Sequence, residues 1–334
     1  MVNWKCLTQE EAATRWDQNL LCFDDFTHSQ TFSWGEYRRA CGWRPYRWAA
    51  YDKGEKIVAM TQGLLRAYPG KTGVIWVAGG PVGNIEACGK TLMRAMMETT
   101  GMKRLYCRIN LARQHNAQDA LTLQSNGWRR TGSPLLSGMS MLYNPLVDEA
   151  IRLADCTRNW RHNLRRSEKH GLSVHLWEKP DIDSVYAIYH SMQDYKNLSQ
   201  QFSKNELETV FSFMGKHIVL YRCDDEHGEP VSLRGCAIFG SKAWDLFAAT
   251  SANGRKTYAS YGLFWKLMQH CHAAGVKYYD MSGIDPLHNP GVYDFKKGTG
   301  ALPIEYLGEW EWASSKILNV GANWMIRRRK GRNI

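Results

Sequence analysis

The chain lacks the marks of several common chemistries. It has no GxxxxGK[ST] stretch, which excludes a P-loop nucleotide site. It has no HExxH and no paired-cysteine motif, and His270 and His272 would point to different faces of a helix, so no metal is expected. No G-x-S-x-G elbow supports a serine hydrolase. The nine cysteines, at positions 6, 22, 41, 88, 107, 156, 223, 236 and 271, are odd in number and form no CxxC pair. They read as free thiols of a reducing compartment. No apolar run approaches the roughly 18 residues that cross a bilayer. Met1-Val2-Asn3-Trp4-Lys5 lacks the apolar core of a signal peptide. The expectation is a soluble, cytoplasmic protein.

Acidic residues are also short, with 32 Asp and Glu against 43 Lys and Arg in 334 residues, a formal net charge of +11. That balance suits a polyanionic partner such as tRNA, a nucleotide-linked sugar or an acidic membrane surface. Fourteen tryptophans and sixteen tyrosines argue against disorder. The length and a 44% hydrophobic content allow two domains with separate cores.

The pattern along the chain repeats. Residues 8–20 read as a helix capped by Thr8, and Ser29 to Arg39 as a turn into a second helix. Residues 46–67 form a hairpin around Asp52-Lys53-Gly54-Glu55, followed by a strand from Val74 and the loop Gly79-Gly80-Pro81-Val82-Gly83. A helix through Leu92 and Met96 ends at Gly101, then a strand runs from Leu105 and a helix fills 114–126. In the second half, 157–170 is a basic helix, 183–197 and 204–215 are helical, and 217–239 is a hairpin. A strand (244–250) and an amphipathic helix (256–274) follow. Gly275-Val276-Lys277-Tyr278-Tyr279-Asp280 then repeats the helix-to-strand junction of Gly101-Met102-Lys103-Arg104-Leu105-Tyr106. Two copies of one α+β unit follow from this, 1–148 and 149–334, in an order of elements that suits tandem GNAT-like domains, each a mixed sheet flanked by helices.

Two adjacent lysines occupy the stretch Gly291-Val292-Tyr293-Asp294-Phe295-Lys296-Lys297-Gly298-Thr299-Gly300, ahead of the strand-like run Ile304 to Trp310. By composition this is an exposed basic turn. A lysine held beside glycines can also bind an anion or face a carbonyl oxygen that develops charge. The run Arg327-Arg328-Arg329-Lys330-Gly331-Arg332 reads as a disordered basic tail.

Three segments resemble the Fem-type (FemABX) peptidyltransferases, which use aminoacyl-tRNA to build peptidoglycan cross-bridges. They are Gln30-x-x-x-Trp34-x-x-x-Arg38, the basic helix from Asn159 to Gly171, and Tyr293 to Glu309. No long coiled-coil insertion is present, so the resemblance is to the compact members. It implies a tandem GNAT fold and an aminoacyltransferase of cell-wall biogenesis that needs no cofactor. The implied partners are an aminoacyl-tRNA donor and an amine acceptor bearing phosphate or peptide; the basic balance and the basic tail, which could touch tRNA or anionic lipid, add peripheral contact with an anionic membrane. It implies catalytic roles for Phe295, against the tRNA acceptor end, and Lys296, beside the developing charge. Arg38, Trp34, Lys196 and Gly80 would face the acceptor, and Lys297, Arg161 and Arg165 the tRNA. Lys196 stands where Fem enzymes often carry arginine, and Gly79-Gly80-Pro81 resembles a Gly-Pro turn near their acceptor site. Asp280, Asp285, Asp294 and Glu305 are the nearby candidate bases, with nothing in the sequence to choose among them.

Two other readings stand beside this one. An acyl-CoA-dependent N-acyltransferase would show an Arg/Gln-x-x-Gly-x-Gly/Ala loop, and neither 79–89 nor 251–262 contains it. A non-catalytic RNA-binding module would use the basic helix alone.

Overall fold

The computed structural model describes residues 2–196 and 202–330. They form two compact units: residues up to Gly138 with those from Glu305 on, and Met139–Ile304.

The first unit begins with β1 (Asn3–Cys6) and α1 (Gln9–Leu20), which Thr8 and Glu11 close with a reciprocal capping box. A short 3₁₀ turn, His28–Gln30, leads into α2 (Phe32–Ala40), capped by Thr31. Then come β2 (Arg44–Tyr51), β3 (Ile57–Tyr68), β4 (Thr72–Ala78), the two-residue β5 (Val82–Gly83), α3 (Lys90–Thr100), β6 (Arg104–Gln114), α4 (Ala117–Ser125) and the short β7 (Arg129–Arg130). β1 to β4 are antiparallel neighbours, and β6 lies parallel to β4. The alternating burial of β4 packs Ile75 and Val77 into a core with Trp48, Leu92, Met96, Trp128 and Trp310. Burying each such side chain contributes roughly 1.5–3 kcal/mol.

The second unit runs β8 (Met139–Tyr143), α5 (Glu149–Asp155), α6 (Arg158–Ser167), β9 (Ser173–Leu176), α7 (Ile182–Lys196), α8 (Lys204–Met214), β10 (Ile218–Asp224), β11 (Pro230–Phe239), β12 (Lys242–Thr250), α9 (Ala252–Lys256), α10 (Ala259–Ala273), β13 (Tyr278–Asp280) and α11 (Pro290–Gly298). Here β9 to β12 are antiparallel neighbours and β13 is parallel to β12. Its own core gathers Trp160, Leu263, Phe264, Leu267, Tyr279 and Met281. The repeat expected from the sequence is therefore one of topology. Gly101 and Gly275 both take left-handed φ, +66° and +73°, and each releases a helix into a strand parallel to the third strand of a meander.

The division of the chain differs from the expected one at residue 148. In the first unit the strand antiparallel to β6 is β14 (Leu302–Ala313), supplied from far downstream, and in the second the strand antiparallel to β13 is β8. A parallel strand has a second edge to cover, and each unit covers it with a strand from beyond the repeat. α12 (Lys316–Lys330) follows β14 into the first unit. It takes the place of the disordered tail expected at Arg327–Lys330, because Ser315 caps it and Asn319 and Asn323 donate to Glu311. The expected turn at 291–300 is also a helix, α11, started by Pro290 at its first turn.

β14 is tied to β6 by a buried ion pair. Arg108 donates to Glu309 at 2.6 Å, with both side chains about 2% exposed or less. The second Glu309 oxygen accepts from the amides of Leu135 and Leu136 at 2.7 Å each, and Arg108 also donates to the Ser133 carbonyl. Removing one partner strands a buried charge, at a cost of about 3–5 kcal/mol. Arg108→Met is thus expected to lower the urea midpoint sharply, and Arg108→Met with Glu309→Met to recover much of the loss. A double variant no more stable than the single one would contradict this account.

Candidate functional site

Lys296 and Lys297 lie in the last turn of α11, so their side chains diverge by about 100°. Lys296 is 6% exposed and Lys297 is exposed, its ammonium 5.7 Å from the Tyr293 ring centre. Two glycines allow α11 to sit where it does. A Cβ on Gly298 would stand 2.8 Å from Trp160 of α6. Gly300, at φ +86°, turns the chain away against the backbone of Asp155.

The Lys296 ammonium donates to the carbonyls of Ser282 at 3.1 Å and Gly283 at 2.9 Å. An ammonium has three protons, so one remains after these two bonds. The acceptors are held by strained backbone: Ser282 has φ +64°, which a side-chain-bearing residue rarely adopts. Its amide donates to Asp280 at 2.8 Å, its hydroxyl donates to the Asp245 carbonyl at 2.6 Å, and the Ser140 hydroxyl donates to its carbonyl at 2.9 Å and to Asp280. Burial pulls the Lys296 ammonium down to about 8. The charge of Asp245 opposes that, Arg234 adds to it, and Asp280 opposes it. Beside Lys296, Arg234 pairs with Asp245 at 2.5 Å and the Tyr279 hydroxyl donates to the same carboxylate at 2.9 Å. Burial keeps Tyr279 protonated well above its ordinary range.

Phe295 is half-buried among aromatic rings, with centres 5.1 Å from Tyr261, 5.8 Å from Phe264 and 5.9 Å from Trp160. The Arg234 guanidinium stands 5.2 Å from the Phe295 ring and 5.0 Å from that of Phe264. Arg234 and Asp245 have no local signal in the sequence, since only the pairing of β11 with β12 brings them together. Of the four candidate bases, Asp280 lies in the network around Lys296. Asp285 bonds His288 at 2.9 Å, and Asp294 and Glu305 are exposed.

The basic helix α6 divides its residues among different tasks. Trp160 packs against α11, while one Arg161 nitrogen donates to the carbonyls of Leu153, Ala154 and Cys156 at the end of α5. Arg161 therefore caps a helix, whereas Arg165 is exposed. Lys196 ends α7, and its side chain lies outside the described residues.

In the first unit Gln30 is fully buried. Its amide donates to the carbonyls of Ala78 at 2.7 Å and Gln62 at 3.1 Å, and its oxygen accepts from the Gln62 amide at 2.7 Å. Gln30 thus ties the 3₁₀ turn to β3 and to the end of β4. Gly80 lies over it, where a Cβ would come within 2.7 Å of the Gln30 amide carbon. Trp34 is edge-on to His28 at 5.0 Å and Tyr37 at 5.3 Å, and among the described residues its buried indole N–H has no partner. Burial lowers His28 to about 4, so it is neutral at pH 7. Arg38 leans on the Tyr37 ring at 5.3 Å and the Trp43 ring at 6.0 Å. Arg66 stacks on the same Trp43 at 4.2 Å. Among the described residues no carboxylate pairs with Arg38, which leaves its fork available to an anion. Arg38, Trp34 and Gly80 thus belong to one neighbourhood of the first unit, and Phe295 and Lys296 to one of the second. The sequence did not point to Arg66.

Residues 222–325 match the model of the FemAB family. No curated protein sequence matches the chain. The solved structure of FemX is similar over 96% of this chain and 100% of that one, with 16% identity and a TM-score of 0.82. A tandem GNAT protein from the clavulanic acid biosynthesis pathway is similar over 94% and 99%, with 10% identity and a TM-score of 0.57. The C-terminal domain of a putative lysylphosphatidylglycerol synthetase from Agrobacterium fabrum is similar over 96% of each chain, with 14% identity and a TM-score of 0.57. At these identities the likeness is one of fold. Residues 222–325 thus carry a FemAB segment, and the chain as a whole has the tandem GNAT-like fold that FemX shares.

Proposed function

We propose that the protein is an aminoacyltransferase that moves an amino acid from aminoacyl-tRNA to a primary amine, forming an amide, with a peptidoglycan precursor or another peptide or glycan as acceptor. The observation that carries the reading is the buried Lys296 ammonium, with two protons engaged by fixed carbonyls and one remaining. An aminoacyl ester is already activated, so the reaction needs no enzyme nucleophile. The acceptor amine adds to the ester carbonyl, and the carbonyl oxygen becomes an oxyanion. Collapse of that intermediate forms the C–N bond and breaks the C–O bond. The ribose hydroxyl leaves with a proton that the amine has lost. A preorganised cation beside the oxyanion acts during this step without reorganising. Phe295, set in its aromatic cluster, offers a ring face or edge to the tRNA acceptor end, and exposed Lys297 and Arg165 offer charge to its phosphates. Arg38, with Trp34 and Gly80 nearby, binds the anionic part of the acceptor.

The donor is tested by offering labelled aminoacyl-tRNA and labelled acyl-CoA side by side with candidate amines. Label transferred from acyl-CoA alone would overturn the reading. In single-turnover transfer at saturating aminoacyl-tRNA, Lys296→Ala should slow the reaction by ~10²–10³, the cost of one preorganised donor. Near-normal transfer would remove Lys296 from catalysis.

The protonated form is the active one in this reading, and burial sets Lys296 to about 8. The wild-type single-turnover rate should therefore fall as pH rises through about 8. Lys296→Arg, which does not deprotonate in this range, should lack that fall whatever its absolute rate. An unchanged descending limb in Lys296→Arg would assign the titration to another group.

Arg38→Ala is expected to raise the acceptor KM more than it lowers kcat, as loss of uniform ground-state binding does. An unchanged KM would exclude Arg38 from the acceptor site.

A further inference from the structure

α12 carries apolar side chains on its outer side as well as on its inner one, unlike a helix with a single apolar stripe facing the core. The side turned to β14 is mixed: Asn319 and Asn323 donate to the two oxygens of the buried Glu311 at 3.0 and 2.9 Å, beside buried Ala322 and half-buried Leu318 and Ile326. The opposite face is apolar and open. Ile317 is 87% exposed, Val320 69% and Trp324 60%, at i, i+3 and i+7, within one narrow stripe. Arg328 follows one turn after Trp324 on the same stripe, its guanidinium 5.2 Å from the indole ring. At its C-terminal end the helix is pinned by Arg327, which donates to the Ser133 hydroxyl at 3.0 Å. The stripe is thus presented by a helix fixed from behind.

Charge selects the occupant. From Lys316 to Ile334 the sequence has six basic residues and no acidic one, on a chain of net charge +11. A second copy would bring the same basic charge to the contact. An RNA backbone would pair with the arginines and leave Ile317 and Val320 in water. An anionic bilayer takes both: aliphatic groups enter the acyl boundary, indole sits at headgroup depth, and guanidinium groups meet lipid phosphate.

We propose that α12 seats the protein on an anionic membrane surface through the stripe Ile317, Val320 and Trp324, with Arg328 at the headgroups. The helix lies in the interface and does not cross: no helix among the described residues is long and apolar enough to span a bilayer.

The test is co-sedimentation of the full chain with vesicles of phosphatidylglycerol and phosphatidylcholine, against vesicles of phosphatidylcholine alone. Wild type should bind the anionic vesicles and not the neutral ones. Ile317→Ser with Trp324→Ser should weaken binding on the order of tenfold or more, because buried apolar area sets the affinity. Unchanged far-UV circular dichroism and thermal midpoint would show that the fold is kept, as expected for solvent-facing positions. Arg328→Gln should weaken binding to anionic vesicles less than the double apolar variant does. The proposal is overturned if wild type fails to sediment, or if the double apolar variant binds like wild type, which would make the attraction purely electrostatic. It is equally overturned if light scattering shows a dimer that the double variant abolishes, or if that variant loses tRNA binding while vesicle binding stays intact.

Discussion

A lysine ammonium removed from water must find acceptors in the protein or lose its proton. In the second unit this constraint reaches back into most of the elements. Lys296 comes from α11, which sits in place only because Gly298 clears Trp160 of α6. The acceptors come from the Ser282 and Gly283 carbonyls, which point inward because Ser282 is held at φ +64°. Holding it takes Asp280 from β13, Ser140 from β8 and a backbone carbonyl from β12. The carboxylates of Asp245 and Asp280 favour the charged form and the Arg234 guanidinium opposes it. Burial outweighs the two carboxylates, and the ammonium is pulled down to about 8.

The first unit handles its polar residues differently. Buried Gln30 replaces water with carbonyl and amide groups of β3 and β4, which locks the 3₁₀ turn at the head of α2. α2 then carries Trp34 and Arg38 one and two turns on. Within the Gln-x-x-x-Trp-x-x-x-Arg pattern, Gln30 fixes the geometry and Arg38 offers the free charge. The same separation of tasks holds in α6, where Trp160 and Arg161 serve packing and capping and Arg165 faces solvent.

Much of the fold was legible because its signals are local. Capping by Thr8, the Asp52–Glu55 turn, and the glycines that close α3 and α10 each act within a few residues. The repeated junction at Gly101 and Gly275 reflects a repeated local geometry, and both units carry it. The chain division was not legible, because nothing within β14 says that it pairs with β6, nearly two hundred residues upstream. The helical state of α12 was hidden for a related reason. Its docking joins the row Leu318, Ala322 and Ile326 to hydrogen bonds from Asn319 and Asn323 to a buried carboxylate, Glu311, that belongs to another element.

By itself the sequence determined the α+β class, the two-unit repeat and the basic balance, which follow from residue type and short spacing, while Phe295, Lys296 and Arg38 stood out through the resemblance to Fem-type enzymes. The tertiary structure decided which of two adjacent lysines is buried, since a helix rotates them apart and a turn would not. It decided that Arg161 caps a helix, and that Arg234 and Asp245 stand beside Lys296, since both depend on elements distant in the chain. It also decided the acidity of Lys296, because a pKa depends on what surrounds the group after folding.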